Sequence, residues 1–145
     1  MERVTLRLAT ETDLTALWAV HVAGMRTYVE QTWGWDHTWQ ATHFRANFPF
    51  GNRQVVQWNG ALAGYLDVDQ SPERIYLANI VLSPAFHNLG IGTSIIADLQ
   101  SRAREANLPL ELQVLHVNVN AHRLYTRFGF GQYGSTETHH LMRWQ

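Results

Sequence analysis

The chain has 145 residues, of which 46% are hydrophobic and 16% charged, with a formal net charge of −1. That is chain enough to bury a core, and too balanced in charge to leave the basic footprint of a nucleic-acid binder. All 11 basic residues are Arg and there is no Cys, which excludes a Schiff-base or P-loop lysine, a disulfide framework, a thiolate nucleophile and a cysteine zinc site. Met1-Glu2-Arg3-Val4-Thr5-Leu6-Arg7 lacks the apolar run of a signal peptide, and no stretch approaches the roughly 20 apolar residues that span a bilayer. The expectation is a soluble cytoplasmic protein of one domain, residues 1–145, with no membrane partner.

Val4, Leu6 and Leu8 alternate with polar or small residues, as in a half-buried strand. Thr10 and the acidic turn Glu11-Thr12-Asp13 then open a helix, in which Leu14, Leu17, Trp18, His21 and Val22 recur at helical spacing and carry it to about Thr27. Residues 28–50 are rich in aromatics: Tyr28, Trp33, Trp35, Trp39, Phe44, Phe48 and Phe50. Gln31 to Asp36 reads as a loop, and Trp39 to Phe48 as a second helix. Two tryptophans flanking Gly34 in a loop suit a pocket wall. Gln54–Trp58 and Ala61–Leu66 flank Asn59-Gly60, a hairpin signal because both turn residues must take positive φ. A turn at Gln70-Ser71-Pro72 leads to a strand from Ile75 to Leu82. An amphipathic helix follows over 91–107, with Ile91, Ile95, Ile96, Leu99 and Ala103 on one side, and Asn107-Leu108-Pro109 stops it. Leu110, Leu112 and Val114 alternate as a strand. A short helix from Ala121 to Phe128 ends at Gly129, and two strands cover about 130–136 and 139–144. The order β-α-α-β-β-β-α-β-α-β-β is that of a mixed α/β (α+β) fold, with about seven strands and four helices.

Ser83 to Thr93 runs from a strand directly into a helix through Gly90 and Gly92. Such glycines let the backbone turn tightly and point successive N–H groups at one spot, where the helix N-terminus adds partial positive charge. A pyrophosphate is the anion such a turn would hold; the competing reading is a glycine turn with a purely structural role. A dinucleotide fingerprint needs a small residue three positions after Gly92, and Ile95 stands there.

His87-Asn88-Leu89-Gly90-Ile91-Gly92 resembles the Arg/Gln-x-x-Gly-x-Gly/Ala pyrophosphate loop of the GNAT superfamily of N-acetyltransferases, with His87 departing from the usual Arg or Gln. Asn118, Ala121, Leu124, Tyr125, Gly129 and Phe130 are similar in type and spacing to a second GNAT segment, Asn-x-x-Ala-x-x-Leu-Tyr-x-x-x-Gly-Phe. The two motifs together cover about 82–130. The run Tyr28 to Asp36 and the tail Thr136-Glu137-Thr138-His139 also resemble a subgroup of small bacterial single-domain GNAT proteins.

The resemblance implies acetyl-CoA as cosubstrate; with no His-Glu-x-x-His and the histidines outside 139–140 scattered singly, no metal site is expected. The resemblance places the pantetheine arm along Ile80, Val81 and Leu82, where the strands of 75–82 and 110–115 splay. The pyrophosphate would lie on His87, Asn88, Leu89, Gly90, Ile91, Gly92 and Thr93, with Asn118 at the cofactor arm or as a helix N-cap. It makes Tyr125 the acid that protonates the departing thiolate. Of Leu124 and Tyr125, the leucine is the better core candidate.

The acceptor amine must lose a proton, a task that a Glu on the fourth strand performs in many relatives; here that strand offers only Asn79, which can orient a water. Glu30 and Asp36 are the carboxylates left as alternatives. Tyr28, Trp33, Trp35 and His139 are the expected pocket residues, for a small-molecule amine or a peptide amine. A catalytically weak CoA-binding sensor is the competing function, and the exposed edge strands near the C-terminus are compatible with a homodimer.

Overall fold

The computed structural model describes residues 3–48 and 52–145; Phe50 lies outside them. In chain order the elements are β1 (Val4–Leu8), a 3-10 turn (Glu11–Asp13), α1 (Leu14–Trp33), α2 (His37–Ala46), β2 (Arg53–Trp58), β3 (Ala61–Gln70) and β4 (Ile75–Leu82). A second 3-10 turn (Pro84–Phe86) precedes α3 (Ile91–Ala106), β5 (Leu110–Leu115), α4 (Val119–Arg127), β6 (Gly131–Ser135) and β7 (His139–Trp144). The strands form one mixed sheet in the order β1-β2-β3-β4-β5-β7-β6. Strands β4 and β5 pair in parallel; the β1–β2, β2–β3, β5–β7 and β6–β7 pairs are antiparallel. The element order and the seven-strand, four-helix architecture are as expected.

The chain divides into two compact units, one running to Asp67 and including Asn79–Ile91, the other made of Val68–Ala78 and Gly92–Gln145. In the first, Leu17, Val20, Phe44, Phe48, Val55, Tyr65 and Val81 form a core that joins α1 and α2 to β2, β3 and β4. Two glycines permit close approach there. A Cβ on Gly24 would stand 2.8 Å from Val81 Cγ1, and one on Gly64 would stand 2.0 Å from the Val81 carbonyl oxygen. Helix α1 and strand β3 therefore close directly on the last residues of β4. In the second unit, Ile95, Ile96, Leu99 and Ala103 of α3 are buried, as are Leu110, Leu112 and Val114 of β5.

Three local expectations are corrected. Helix α1 runs six residues beyond Thr27, to Trp33, and stops at Gly34, whose φ is 85°. The Tyr28, Val29, Thr32 and Trp33 side chains have modest helix propensity, but burial of Val29 in the fold overrides it. The loop expected over 31–36 is thus only 34–36. Strand β1 is not half-buried in alternation: it is an edge strand with Leu6 39% and Leu8 63% exposed. Strand β5, flanked by β4 and β7, is buried at five of its six positions rather than on one face.

Candidate active site

The turn into α3 is built around two residues in the left-handed region, Asn88 at φ 62° and Gly90 at φ 81°. Nothing lies within 4 Å of where a Cβ on Gly90 would stand, so the loop has open space above it. The N–H groups of α3's first turn, Ile91 to Thr93, have no intrahelical carbonyl to serve them. Amides at a long helix's N-terminus beside an open glycine suit a diphosphate. Ile91 itself is buried (1% exposed) and anchors the turn, while Leu89 is 43% exposed.

His87 is exposed, and its Nε2 lies 2.9 Å from the Leu82 carbonyl oxygen. A carbonyl only accepts, so Nε2 carries the hydrogen; in the neutral ring Nδ1 is then an acceptor and cannot donate to a phosphate. Anion binding in this loop falls to the backbone amides.

Strand β4 pairs with β5 in a register running from Ile75↔Leu110 to Leu77↔Leu112, and β4 continues to Leu82. Within the second unit, Asn118 caps α4, its Oδ1 accepting from the Ala121 N–H at 3.2 Å. One turn on, Tyr125 is 5% exposed, with its ring 5.7 Å from that of Phe130. Burial pushes its phenol up to about 12, and among the described residues its hydroxyl has no hydrogen-bond partner. The core preference for Leu124 is corrected: Tyr125 is the buried one, and Leu124 is half-buried with Cδ2 3.7 Å from where a Gly92 Cβ would stand. The cause is α4's phase, which turns position 125 inward and leaves 124 at the helix flank.

Residues 14–130 match the Acetyltransferase (GNAT) family. The chain belongs to that family. No curated protein gives a significant match. Among solved structures, the chain is similar to the PaiA N-acetyltransferase of Thermoplasma acidophilum in complex with coenzyme A, with a TM-score of 0.77 at 13% identity over 97% of this chain and 98% of that one. It is similar to the ribosomal-protein-S18-alanine N-acetyltransferase of Escherichia coli (TM-score 0.68, 19% identity, 97% and 92% covered). It is also similar to Arabidopsis thaliana Naa50 in complex with the bisubstrate analogue CoA-Ac-MVNAL (TM-score 0.66, 16% identity, 98% of each chain). At these identities the likeness is one of fold.

In this GNAT chain the expected acceptor residues take the following places. Glu30, on α1, is an exposed carboxylate 3.8 Å from Arg26 Nε, and Trp33 at the end of α1 is 60% exposed. Asp36 caps α2, accepting from the Trp39 N–H at 2.9 Å. Tyr28 is half-buried and its carbonyl accepts from the Thr32 hydroxyl. Trp35 is half-buried and stacks on Trp18, with ring centroids 6.2 Å apart. In the second unit, His139 Nδ1 lies 2.7 Å from the Thr138 hydroxyl. The adjacent His140 ring sits 4.3 Å from His116 and 4.6 Å from His122, but among the described residues no three metal-binding side chains are placed to hold an ion.

The first unit holds instead a polar network that sequence reasoning missed. His21 Nδ1 lies 2.9 Å from the Tyr65 hydroxyl, and its Nε2 lies 3.3 Å from Gln40 Oε1. Both bonds suit a neutral ring with hydrogen on Nε2, and burial lowers the pKa of His21 in keeping with that. Trp18, Trp35 and Phe44 surround the ring. Asn79, on β4, donates through Nδ2 to Asp67 Oδ2 at 3.0 Å, and Arg53 grips the same carboxylate with bonds of 2.9 and 2.8 Å. The available signal was the hairpin register: Arg53 and Asp67 are directly opposed across it. Among the described residues no helix is long and apolar enough to cross a membrane.

Proposed function

We propose that this chain is a single-domain cytoplasmic N-acetyltransferase that moves an acetyl group from acetyl-CoA to a primary amine by direct attack. The observation that carries the reading is the open turn at Gly90 feeding the N-terminus of α3, in a chain of the GNAT acetyltransferase family. Acetyl-CoA supplies the activated acyl group as a thioester. The amides of 88–93 take its diphosphate, the backbone of Ile80–Leu82 beyond the β4–β5 register takes the pantetheine arm, and Asn118 borders that arm.

Tyr125 is the donor to the departing sulfur. A free thiol has a pKa of about 8.5, whereas burial keeps this phenol neutral through the whole working range, so it is always available to donate. The acceptor is a small-molecule or peptide amine, consistent with the fold neighbour whose name gives an alanine of ribosomal protein S18 as its target. Calorimetry with acetyl-CoA tests the reading. Wild type is expected to bind, and Gly90→Val to lose binding, because a branched side chain at φ 81° both strains the turn and fills its open side. Equal affinity in the two proteins would refute the cradle.

A further inference from the structure

The fourth strand has no carboxylate where an acceptor amine would be received, yet the structure brings one there from the neighbouring strand. Tyr65 and Asp67 are two apart on β3 and so share a face, and Asn79 and Val81 do likewise on β4. Tyr65 and Val81 belong to the core under α1 and α2, which puts Asp67 and Asn79 on that same covered face. Asn79 is nonetheless exposed, while Leu77 and Val81, its neighbours at alternate positions, are buried. The covering of this face is therefore open at Asn79.

The hydrogen-bond inventory at this opening is incomplete in a specific way. A carboxylate offers about four acceptor directions. Among the described residues, Asp67 Oδ2 is taken by Arg53 Nη2 and Asn79 Nδ2, while Oδ1 receives only Arg53 Nε. One acceptor direction on Oδ1 remains. Because Asn79 must donate to the carboxylate, its amide orientation is fixed and its own Oδ1 is turned outward as a second acceptor. Arg53 in turn cannot swing away: its guanidinium lies over the rings of Tyr65 (4.4 Å), Phe44 (4.9 Å) and Phe48 (5.5 Å). Two adjacent acceptors on a rigid base match a primary amine, which has at least two N–H groups, where a hydroxyl has one; Asn79 keeps its second Nδ2 hydrogen as a donor beside them.

We propose that Asp67 and Asn79 form the seat of the acceptor amine, with Arg53 as the positioning residue that holds the carboxylate in place. This rests on the acetyltransferase reading and deepens it: the acceptor is a primary amine presented as a cation or neutral donor, on an apolar body that the Trp18, Trp35 and His21 wall can cover. The forked bonds from Arg53 balance the Asp67 charge, so the seat binds and orients the amine while the proton leaves to water.

Three measurements on the full chain test it. With 2-phenylethylamine as acceptor and release of CoA thiol as the signal, Asp67→Asn is expected to raise KM about 10- to 100-fold, and Asn79→Ala about 10-fold, with kcat falling less. Calorimetry should give the same acetyl-CoA affinity for both variants and wild type. In nuclear magnetic resonance, 2-phenylethylammonium alone should shift the Asn79 side-chain amide of wild type and not that of Asp67→Asn. Asn79→Ala leaves the Arg53–Asp67 fork intact and carries the kinetic test if Asp67→Asn does not fold. An Asn79 amide that does not respond to the amine, an unchanged KM in Asn79→Ala, or a KM effect found in Glu30→Gln instead would overturn the seat. Wild type that binds the amine but not acetyl-CoA would overturn the acetyltransferase reading and leave the amine seat standing.

Discussion

Two arginine–carboxylate constellations, Arg53–Asp67 in the first unit and Arg74–Glu111–Arg143 in the second, differ in how their charges are layered. In the second unit Glu111 is buried, its side chain 8% exposed, beneath Arg74 (45%) and Arg143 (42%). The guanidiniums form the outer layer, stacked over Tyr76 at 4.4 Å and Tyr133 at 4.2 Å, and their two bonds to the carboxylate are 2.8 and 2.6 Å. In the first unit both partners are largely buried. Arg53 is 12% and Asp67 17% exposed, one Arg53 nitrogen is buried with no hydrogen-bond partner among the described residues, and the carboxylate reaches the exposed Asn79. The unpaired nitrogen sits among aromatic faces, which accept N–H groups weakly. Glu111 has guanidiniums on its outer side, whereas Asp67 shares its outer side with the exposed Asn79 amide.

The sharpest way to break this contrast is to remove the buried cation. Arg53→Met should cost about 3 kcal/mol in urea unfolding, because it strands a largely desolvated carboxylate and empties the aromatic cage. Arg74→Met removes an exposed guanidinium while Arg143 still holds Glu111, so its cost should stay below about 1 kcal/mol. Equal costs would mean that the two constellations do the same structural work. Next in size is Tyr125→Phe, which tests whether the second unit's own buried polar group is catalytic. Turnover should fall about 10- to 1000-fold with acetyl-CoA affinity unchanged. Its unfolding free energy should stay within about 0.5 kcal/mol of wild type, because among the described residues the hydroxyl has no partner to lose. Unaltered turnover would remove Tyr125 from its role.

The contrast also explains what could be read from the chain beforehand. Elements and motifs were legible because they are local: Asn59-Gly60 announces its hairpin, with φ values of 51° and 87°, and the segment from Asn118 to Phe130 carries its spacing along one helix. The Asp67–Asn79 pair was not legible, because a carboxylate on β3 meets a β4 amide only through sheet register, and the β4 sequence alone offers just the amide. Glu30 drew attention for the opposite reason. It sits in an aromatic run that suggested a pocket loop, and the continuation of α1 to Trp33 instead turns it to solvent beside Arg26. His87 departs from the usual Arg or Gln at its motif position, and only the fold could reveal that its donor is already spent on the Leu82 carbonyl.

The smallest expected effect concerns pH, and it separates a third ion pair from both constellations. Asp13 opens α1 and accepts from Arg7 Nη1 at 2.9 Å, from Arg7 Nη2 at 2.8 Å and from the Thr10 N–H at 2.8 Å. The Arg7 guanidinium, chiefly through these hydrogen bonds, lowers the carboxyl from 3.8 to about 2 in spite of some burial. A carboxylate with a depressed folded pKa stabilises fully above its unfolded value; that stabilisation drains away as pH falls from 3.8 toward about 2. Arg7 is 43% exposed, so solvent screens the pair and the contribution is on the order of 1 kcal/mol. Asp13→Asn should therefore be less stable than wild type at pH 7, and the two unfolding free energies should converge below about pH 2. Burial raises the Glu111 carboxyl, but hydrogen bonds from Arg74 and Arg143 outweigh it and set the pKa below the usual value, so acid also weakens the second unit. The acid limb left in Asp13→Asn should for that reason become shallower without disappearing. If the limb vanished, Asp13 alone would govern acid stability and the buried Glu111 would contribute none of it.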